Sequence, residues 1–353
     1  MKLLFICNHI DSRLKQRVEE LDASGIKAHC LILSEFALLK DSKKEIISIE
    51  NSNLEVIFKN LRYKKLFDSL EKYDGVNIYK CSTICAPYID NIKKISKRYL
   101  ITADEKLVEK NRNVVKLFDK ASCILFENEK SIKKFEECFG YDEKTLIDRD
   151  PCYLFTNIDN VDKNELAKFQ KFLNVNREKN LVYCDLSTNL EEQISFIDDL
   201  LKLPQEQLKV TTFIFDPSSS DIVTKESLIE YLSEKRFDYL LPDSLLTDGQ
   251  KAMLIVSCDS TMLLPGFNPQ SVLYPALYTK IHVYKYHDIS KNKFLDTHDI
   301  FIDTFENFEN RLTFNVHSHN LTDEFLEKNQ SEITKLFHPR NCLKNYLEVL
   351  KIL

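Results

Sequence analysis

The sequence predicts an α/β protein of two Rossmann-like, doubly wound domains that face each other across a cleft. Three observations carry this. Short apolar runs alternate with amphipathic, helix-spaced segments along most of the chain. The alternation pauses over the polar residues 152–178 and then begins again. A length of 353 residues suits two such units better than one.

The first half opens as a βαβ unit. Lys2–Cys7 is a continuous apolar run, expected as a buried strand, and Ser12–Ala23 carries Leu14, Val18 and Leu21 at helical spacing. Gly25 then stands where a helix ends, ahead of a second apolar run, Lys27–Leu33. Further strands are expected at Leu54–Phe58, Val76–Tyr79, Arg98–Thr102, Cys123–Glu127 and Leu146–Arg149. Helices are expected between them at Arg62–Glu71, Ala86–Ser96, Lys106–Phe118 and Lys130–Phe139. Residues 152–178 read as a linker with a helix over Asp162–Leu173. The second half repeats the rhythm, with strands at Asn180–Cys184, Lys209–Phe215, Phe237–Leu241, Ser260–Leu264, Ile281–Tyr284 and Phe301–Thr304. Its helices fall at Leu190–Leu203, Lys225–Glu234, Gly249–Ser257 and Pro269–Tyr278, and two more, Thr322–Leu336 and Asn341–Ile352, close the chain. Parallel strands need such crossovers, and doubly wound sheets take ligands at their carboxyl ends. The expected domains are 1–165, 166–330 and a closing segment 331–353 that returns to the first.

Composition narrows the function classes. A net charge of −6 argues against a nucleic-acid partner, although Lys93, Lys94, Lys97 and Arg98 form a local basic patch. The ten cysteines are scattered, and Cys7, Cys30, Cys123 and Cys184 lie in apolar runs as small hydrophobes do. Cys81 and Cys85 are the one close pair, and no second pair completes a zinc set; reduced structural thiols are the expectation. Met1–Cys7 is too short for a secretory leader, and no run reaches the roughly 18 apolar residues of a membrane span. The expected location is the cytoplasm, with room for peripheral contact at the inner membrane face. Glycine is scarce: five in the chain, against an average of about 7%.

Specific segments resemble bacterial GT-B glycosyltransferases, in particular the family 4 group that builds capsule and lipopolysaccharide glycans. KLLFICNHIDSRLKQRVEELDASGIKAHCLIL is similar to that group's first βαβ unit. YDGVNIYKCST, KRYLITADEK and LFDKASCILFENEKSIKKFEECFGYDEK resemble its later strands and the helix ending in Phe-Gly. LVYCDLSTNLEEQISFIDDLLKLP looks like the opening of its donor domain. FDYLLPDSLLTDGQKAMLIVSCDSTMLLP and SVLYPALYTKIHVY resemble the segments that follow, and Asn345-Tyr346-Leu347 suits a terminal helix crossing back to the first domain. The resemblance implies a soluble transferase that moves a sugar from a nucleotide-sugar donor to a bacterial surface glycan. It implies no bound cofactor or metal, the nucleotide sugar being substrate. A partner transferase is a further expected contact.

The donor half departs from the family. Its Gly-rich phosphate turn is here Asp185-Leu186-Ser187-Thr188-Asn189, and the helix position that carries the family's sugar-binding Glu is Pro275. Asp185 and Glu191 would repel a diphosphate. Two alternatives therefore stand beside the transferase: a catalytically inactive GT-B-like subunit that binds glycan or a partner transferase, and a sugar-nucleotide enzyme such as an epimerase. The lack of a G-x-G-x-x-G after the first strand counts against the latter.

The candidate residues follow from strand ends. In the loop after the first strand, His9 can act as a base, and Asp11 and Arg13 sit on the acceptor side; Asp11 or Ser12 can equally cap the helix. Asp104 and Glu105 follow another strand and can assist an acceptor hydroxyl, or cap the next helix. Glu127 and Glu129 have the same ambiguity, with a solvated loop as the default. Donor contacts are expected from Arg149, Ser187, Asn268, Gln270 and Ser271; for Arg149 a surface ion pair competes, and for Asn268 a helix cap. His317, His319 and His338-Pro339 lack supporting neighbours for a site.

Overall fold

A computed structural model describes the chain except for residues 34–36, 41–44, 49–55, 104–111, 141–142, 186–189, 217–221, 236, 243–245, 266, 288–299, 315–322 and 352–353. It divides into two compact units, Met1–Asp150 with Cys342–Leu353, and Pro151–Asn341.

The first unit runs β1 (Lys2–Cys7), α1 (Ser12–Ala23), β2 (Lys27–Ile32), β3 (Ala37–Lys40), β4 (Glu45–Ser48), α2 (Val56–Ser69) and β5 (Gly75–Tyr79). It continues through α3 (Ser82–Cys85), α4 (Ile89–Ile95), β6 (Tyr99–Thr102), α5 (Arg112–Asp119), β7 (Cys123–Phe126), α6 (Glu129–Phe139) and β8 (Thr145–Ile147). The sheet order is β4-β3-β2-β1-β5-β6-β7-β8, parallel except for β3 and β4. Leu4 and Ile6 pack on one face of β1, Leu3, Phe5 and Cys7 on the other. Burial on both faces is why β1 reads as an unbroken apolar run rather than an alternation. Asp11 caps α1 by accepting the N–H of Leu14, and Gly25 takes φ +78° just past its end, a region that disfavours other side chains.

The second unit holds α7 (Leu154–Asp159), α8 (Lys163–Phe172), β9 (Asn180–Asp185), α9 (Leu190–Leu201), α10 (Gln205–Lys209), β10 (Thr211–Asp216), α11 (Ile222–Ser233) and β11 (Tyr239–Leu240). Then come α12 (Asp248–Ser257), β12 (Ser260–Leu263), a π-helical turn Pro269–Leu273 leading into α13 (Tyr274–Tyr278), β13 (His282–Lys285), β14 (Asp303–Thr304), α14 (Phe305–Phe314) and α15 (Asp323–Phe337). Its sheet, β11-β10-β9-β12-β13-β14, is parallel throughout. A last helix, α16 (Pro339–Leu350), carries the chain into the first unit, where Tyr346 and Leu350 join the core beside Leu3 and Phe5.

Several expectations need correction. The first domain ends at Asp150 rather than 165, because Cys152, Leu154 and Phe155 are buried in the core of the second unit. The segment 152–178 is therefore part of that unit and not a linker. The closing segment likewise leaves the second unit at Cys342 rather than at 331, since Ile333 and Phe337 pack in the same core. Finally, Val56–Phe58, expected in a strand, opens α2, and the antiparallel pair β3 and β4 was not foreseen. Among the described residues no helix is long and apolar enough to cross a membrane. The ten cysteines are thiols rather than disulfides, and the Cys81 and Cys85 sulfurs lie 3.6 Å apart, buried.

Candidate functional site

Parallel strands deliver their carboxyl ends to one edge of a sheet, and in the first unit that edge gathers a charged cluster. The loop after β1 supplies Asp11, and the first turns of α1 supply Arg13 and Arg17. Lys80 follows β5, Glu127 follows β7, and Asp148 and Asp150 follow β8.

Arg13 is the hub. Its guanidinium meets Glu127 at 2.9 Å, the Asp148 carboxylate at 3.1 Å and Asp150 at 2.6 Å, and also donates to the Asp148 carbonyl. Arg17 donates to Asp148 at 3.1 Å and lies over the Tyr346 ring at 4.2 Å. Lys80 reaches Glu127 at 2.7 Å and Asp11 at 3.4 Å. To do so it holds φ +51°, a left-handed backbone that costs a side-chain-bearing residue about 1–2 kcal/mol. The Tyr79 hydroxyl donates to both Asp11 oxygens at 3.0 Å. Four carboxylates thus face three cations at the edge of the sheet.

The fixed charges tune one another. Burial alone would lower the Arg13 value, but Asp148, Asp150 and Glu127 hold it well above the ordinary one. Burial opposes ionisation of Asp11, yet the Leu14 N–H, the Tyr79 hydroxyl and Lys80 outweigh it and keep that carboxyl below its usual range. Burial, reinforced by Asp11 against the pull of Arg13, pushes the Tyr79 phenol far up, so it stays a donor. Behind the cluster, Thr102 donates to Asn77 at 3.1 Å and Asn77 to the Tyr346 hydroxyl at 2.8 Å.

Of the residues expected on the acceptor side, Asp11 and Arg13 come together here. Asp11 is both the helix cap and a member of the cluster, so the two readings of it coincide. Arg13 is engaged there by three carboxylates. His9 is exposed in the same loop. Arg149 makes the ion pair that competed with a donor role, at 2.9 Å to Glu129. Asp104, Glu105 and Ser187 lie outside the described residues, as do His317 and His319. Sequence reasoning passed over Arg17, Lys80 and Asp148, and left Glu127 as a solvated loop residue. The signal was available: Lys80, Glu127 and Asp148 each stand one residue beyond a strand.

In the second unit the carboxyl edge is filled differently. Asp185 and Asp216 end β9 and β10 in register, and both are buried. Asp216 accepts the Tyr183 hydroxyl at 2.6 Å and pairs with buried Lys251 of α12 at 3.1 Å. Burial together with Asp216 and Asp185 pushes the Tyr183 phenol well up, so it too remains protonated. Ser271 Oγ lies 3.4 Å from Asp185 and 3.1 Å from the Asn268 carbonyl. Asn268 caps the π-helical turn: its side chain accepts the Gln270 N–H at 3.0 Å, and its carbonyl accepts those of Ser271 and Val272 at 3.1 Å each. The Gln270 carbonyl accepts the Cys152 thiol. Asn268, Gln270 and Ser271 thus share one turn, within which the Gln270 and Ser271 N–H groups are bonded. His338 packs at a ring-centroid distance of 6.1 Å from Phe155 and 5.9 Å from Tyr278, with Nε2 3.4 Å from Asp159.

No family model matches the sequence, and no curated protein matches it. Solved structures do. A glycosyltransferase from Rickettsia africae aligns with a TM-score of 0.65 at 15% identity, over 99% of this chain and 98% of that one. The fold is GT-B. HepE of Anabaena in complex with UDP-glucose aligns with a TM-score of 0.56 at 13% identity over all of both chains. A UDP-GlcNAc 2-epimerase from Neisseria meningitidis bound to UDP-GlcNAc gives 0.57 at 11%, over 99% of this chain and all of that one. The fold therefore houses more than one sugar-nucleotide chemistry.

Proposed function

We propose that the protein is a glycosyltransferase that moves a sugar from a nucleotide-sugar donor to a glycan of the bacterial surface. The observation that carries this reading is the end-to-end likeness to a glycosyltransferase and to a protein crystallised with UDP-glucose. In this reading the acceptor hydroxyl comes to the charged edge of the first unit. His9, with Asp104 and Glu105, supplies the base that takes its proton as the sugar C1–O bond breaks and the nucleoside diphosphate leaves. Asp11 orients the acceptor, and Arg13 positions the carboxylates around it. Arg149, Ser187, Asn268, Gln270 and Ser271 contact the donor, which needs no resident cofactor or metal.

A second reading, a GT-B-like subunit that binds glycan or a partner transferase without turnover, is favoured by one observation. The edge that would cradle the donor phosphates ends in the buried acids Asp185 and Asp216, and Pro275 stands in the helix. An epimerase is a third, now supported by a neighbour of the same fold.

Thermal unfolding against a panel of UDP-, GDP- and CMP-sugars, followed by nucleotide release with candidate acceptors, separates the three. A donor at about 100 times its Kd stabilises by about 2.7 kcal/mol. Acceptor-dependent release supports transfer. Conversion of the sugar nucleotide without acceptor identifies an epimerase, and no stabilisation or turnover across the panel leaves the binding subunit.

A further inference from the structure

The amino-terminal edge of the first sheet, opposite the charged cluster, holds a cavity of about 750 Å³ lined by Lys72, Lys93, Lys94, Lys97 and Arg98, with Asp74 the one acid among its walls. The chain as a whole carries −6, so this concentration of positive charge runs against its composition.

The floor is fixed rather than loose. The Tyr73 N–H donates to the Ile95 carbonyl at 3.0 Å, Ser96 Oγ to the Asp74 carbonyl at 3.3 Å, and the Arg98 N–H to Ser96 Oγ at 3.2 Å. These bonds tie the approach to β5 to the exit of α4. The first of them also occupies the Ile95 carbonyl at the end of α4. Asp74 turns its carboxylate to the Lys2 backbone N–H at 2.7 Å. Lys94 pairs with Asp68 at 2.7 Å. Lys72, Lys97 and Arg98 have no acidic side chain within ion-pair distance among the described residues. Burial and the neighbouring Lys120 and Lys116 ammonium groups, opposed by Asp90, push the Lys93 ammonium below its ordinary value, so like charges are crowded here.

We propose that this groove is an anion site that takes clustered phosphate groups, either as a free polyphosphate or as the headgroups of an anionic lipid surface. Crowded cations on a fixed floor gain most from a compact multivalent anion, and a concave wall of Lys and Arg matches phosphate oxygens. The site stands whether or not the protein transfers sugar.

Calorimetric titration of the full chain with tripolyphosphate, and co-sedimentation with phosphatidylglycerol or neutral phosphatidylcholine vesicles at about 0.1 M salt, test it. The variants are Lys97→Glu/Arg98→Glu in the groove and Lys163→Glu/Lys168→Glu on α8, which makes the same charge change on exposed residues elsewhere. Tripolyphosphate binding weakened about tenfold or more by the groove variant alone establishes a site for free phosphate. Binding only to phosphatidylglycerol vesicles, lost in the groove variant alone, establishes the lipid source. If the wild type binds neither ligand, or both variants weaken binding equally, the proposal is overturned. Lys97→Gln/Arg98→Gln replaces the groove variant should circular dichroism show that it has not folded.

Discussion

The two sheets share a parallel order around their first strands, β2-β1-β5-β6-β7 and β10-β9-β12-β13-β14, and differ at their carboxyl edges. In the first unit that edge is built of long side chains, Arg13, Lys80 and Glu127, whose charges meet around the buried Arg13 guanidinium while Lys80 and Glu127 stay partly exposed. In the second it is built of short, buried acids at strand ends, Asp185 beside Ser271 and Asp216 held by Tyr183 and Lys251. The same backbone geometry can thus present charge to a ligand or consume it in holding the domain together. Which occurs depends on how much of the carboxylates the counter-charges leave open: beside Arg13, Asp150 keeps a side-chain exposure of 48%, whereas beside Lys251 of α12, Asp216 keeps none.

Removal of the helix counter-charge has the largest expected effect. Lys251→Ala leaves Asp216 buried without its cation and destabilises the second unit by about 3–5 kcal/mol, read by denaturant unfolding. Arg13→Ala comes next, at about 2–3 kcal/mol, since its acidic partners are partly hydrated. Hydrogen exchange checks the locations: protection falls around β9, β10 and α12 in the first variant and around α1 and β8 in the second. Equal effects on both units would break the comparison.

Asp11→Asn sharpens it through pH. Asn remains a good cap, so the change isolates the charge. The folded carboxyl titrates below its unfolded value of about 3.9, so ionised Asp11 contributes stability above that pH and loses it as pH falls through the folded value. The variant should be less stable by about 0.2–1 kcal/mol at neutral pH and indistinguishable from wild type in strong acid. Lys80→Gly has the smallest net effect, below about 1 kcal/mol, because relief of the left-handed backbone offsets the lost pairs to Glu127 and Asp11.

The fold was legible because burial on both faces writes parallel strands as apolar runs, as at Lys2–Cys7 and Asn180–Asp185. The domain boundary was not, because α7 and α8 look polar while burying only Phe155, Leu154, Phe169 and a few others. The β3–β4 pair carries short runs without a clear turn signal. Asp11 and Arg13 could be found from their place after a strand. The Arg13 partners Glu127, Asp148 and Asp150 lie more than a hundred residues away, and only the sheet order brings them together. Asp185 was read as an acid set against a diphosphate; its burial shows a structural part that charge alone could not reveal.

The proposed function requires the chain to take a nucleotide sugar. Hydrogen exchange of the full protein with and without the UDP-, GDP- and CMP-sugar panel tests it most directly. The account predicts added protection over Asn268–Tyr278 with one donor. No change across the panel, or protection confined to the basic groove around Lys97 and Arg98, would contradict it.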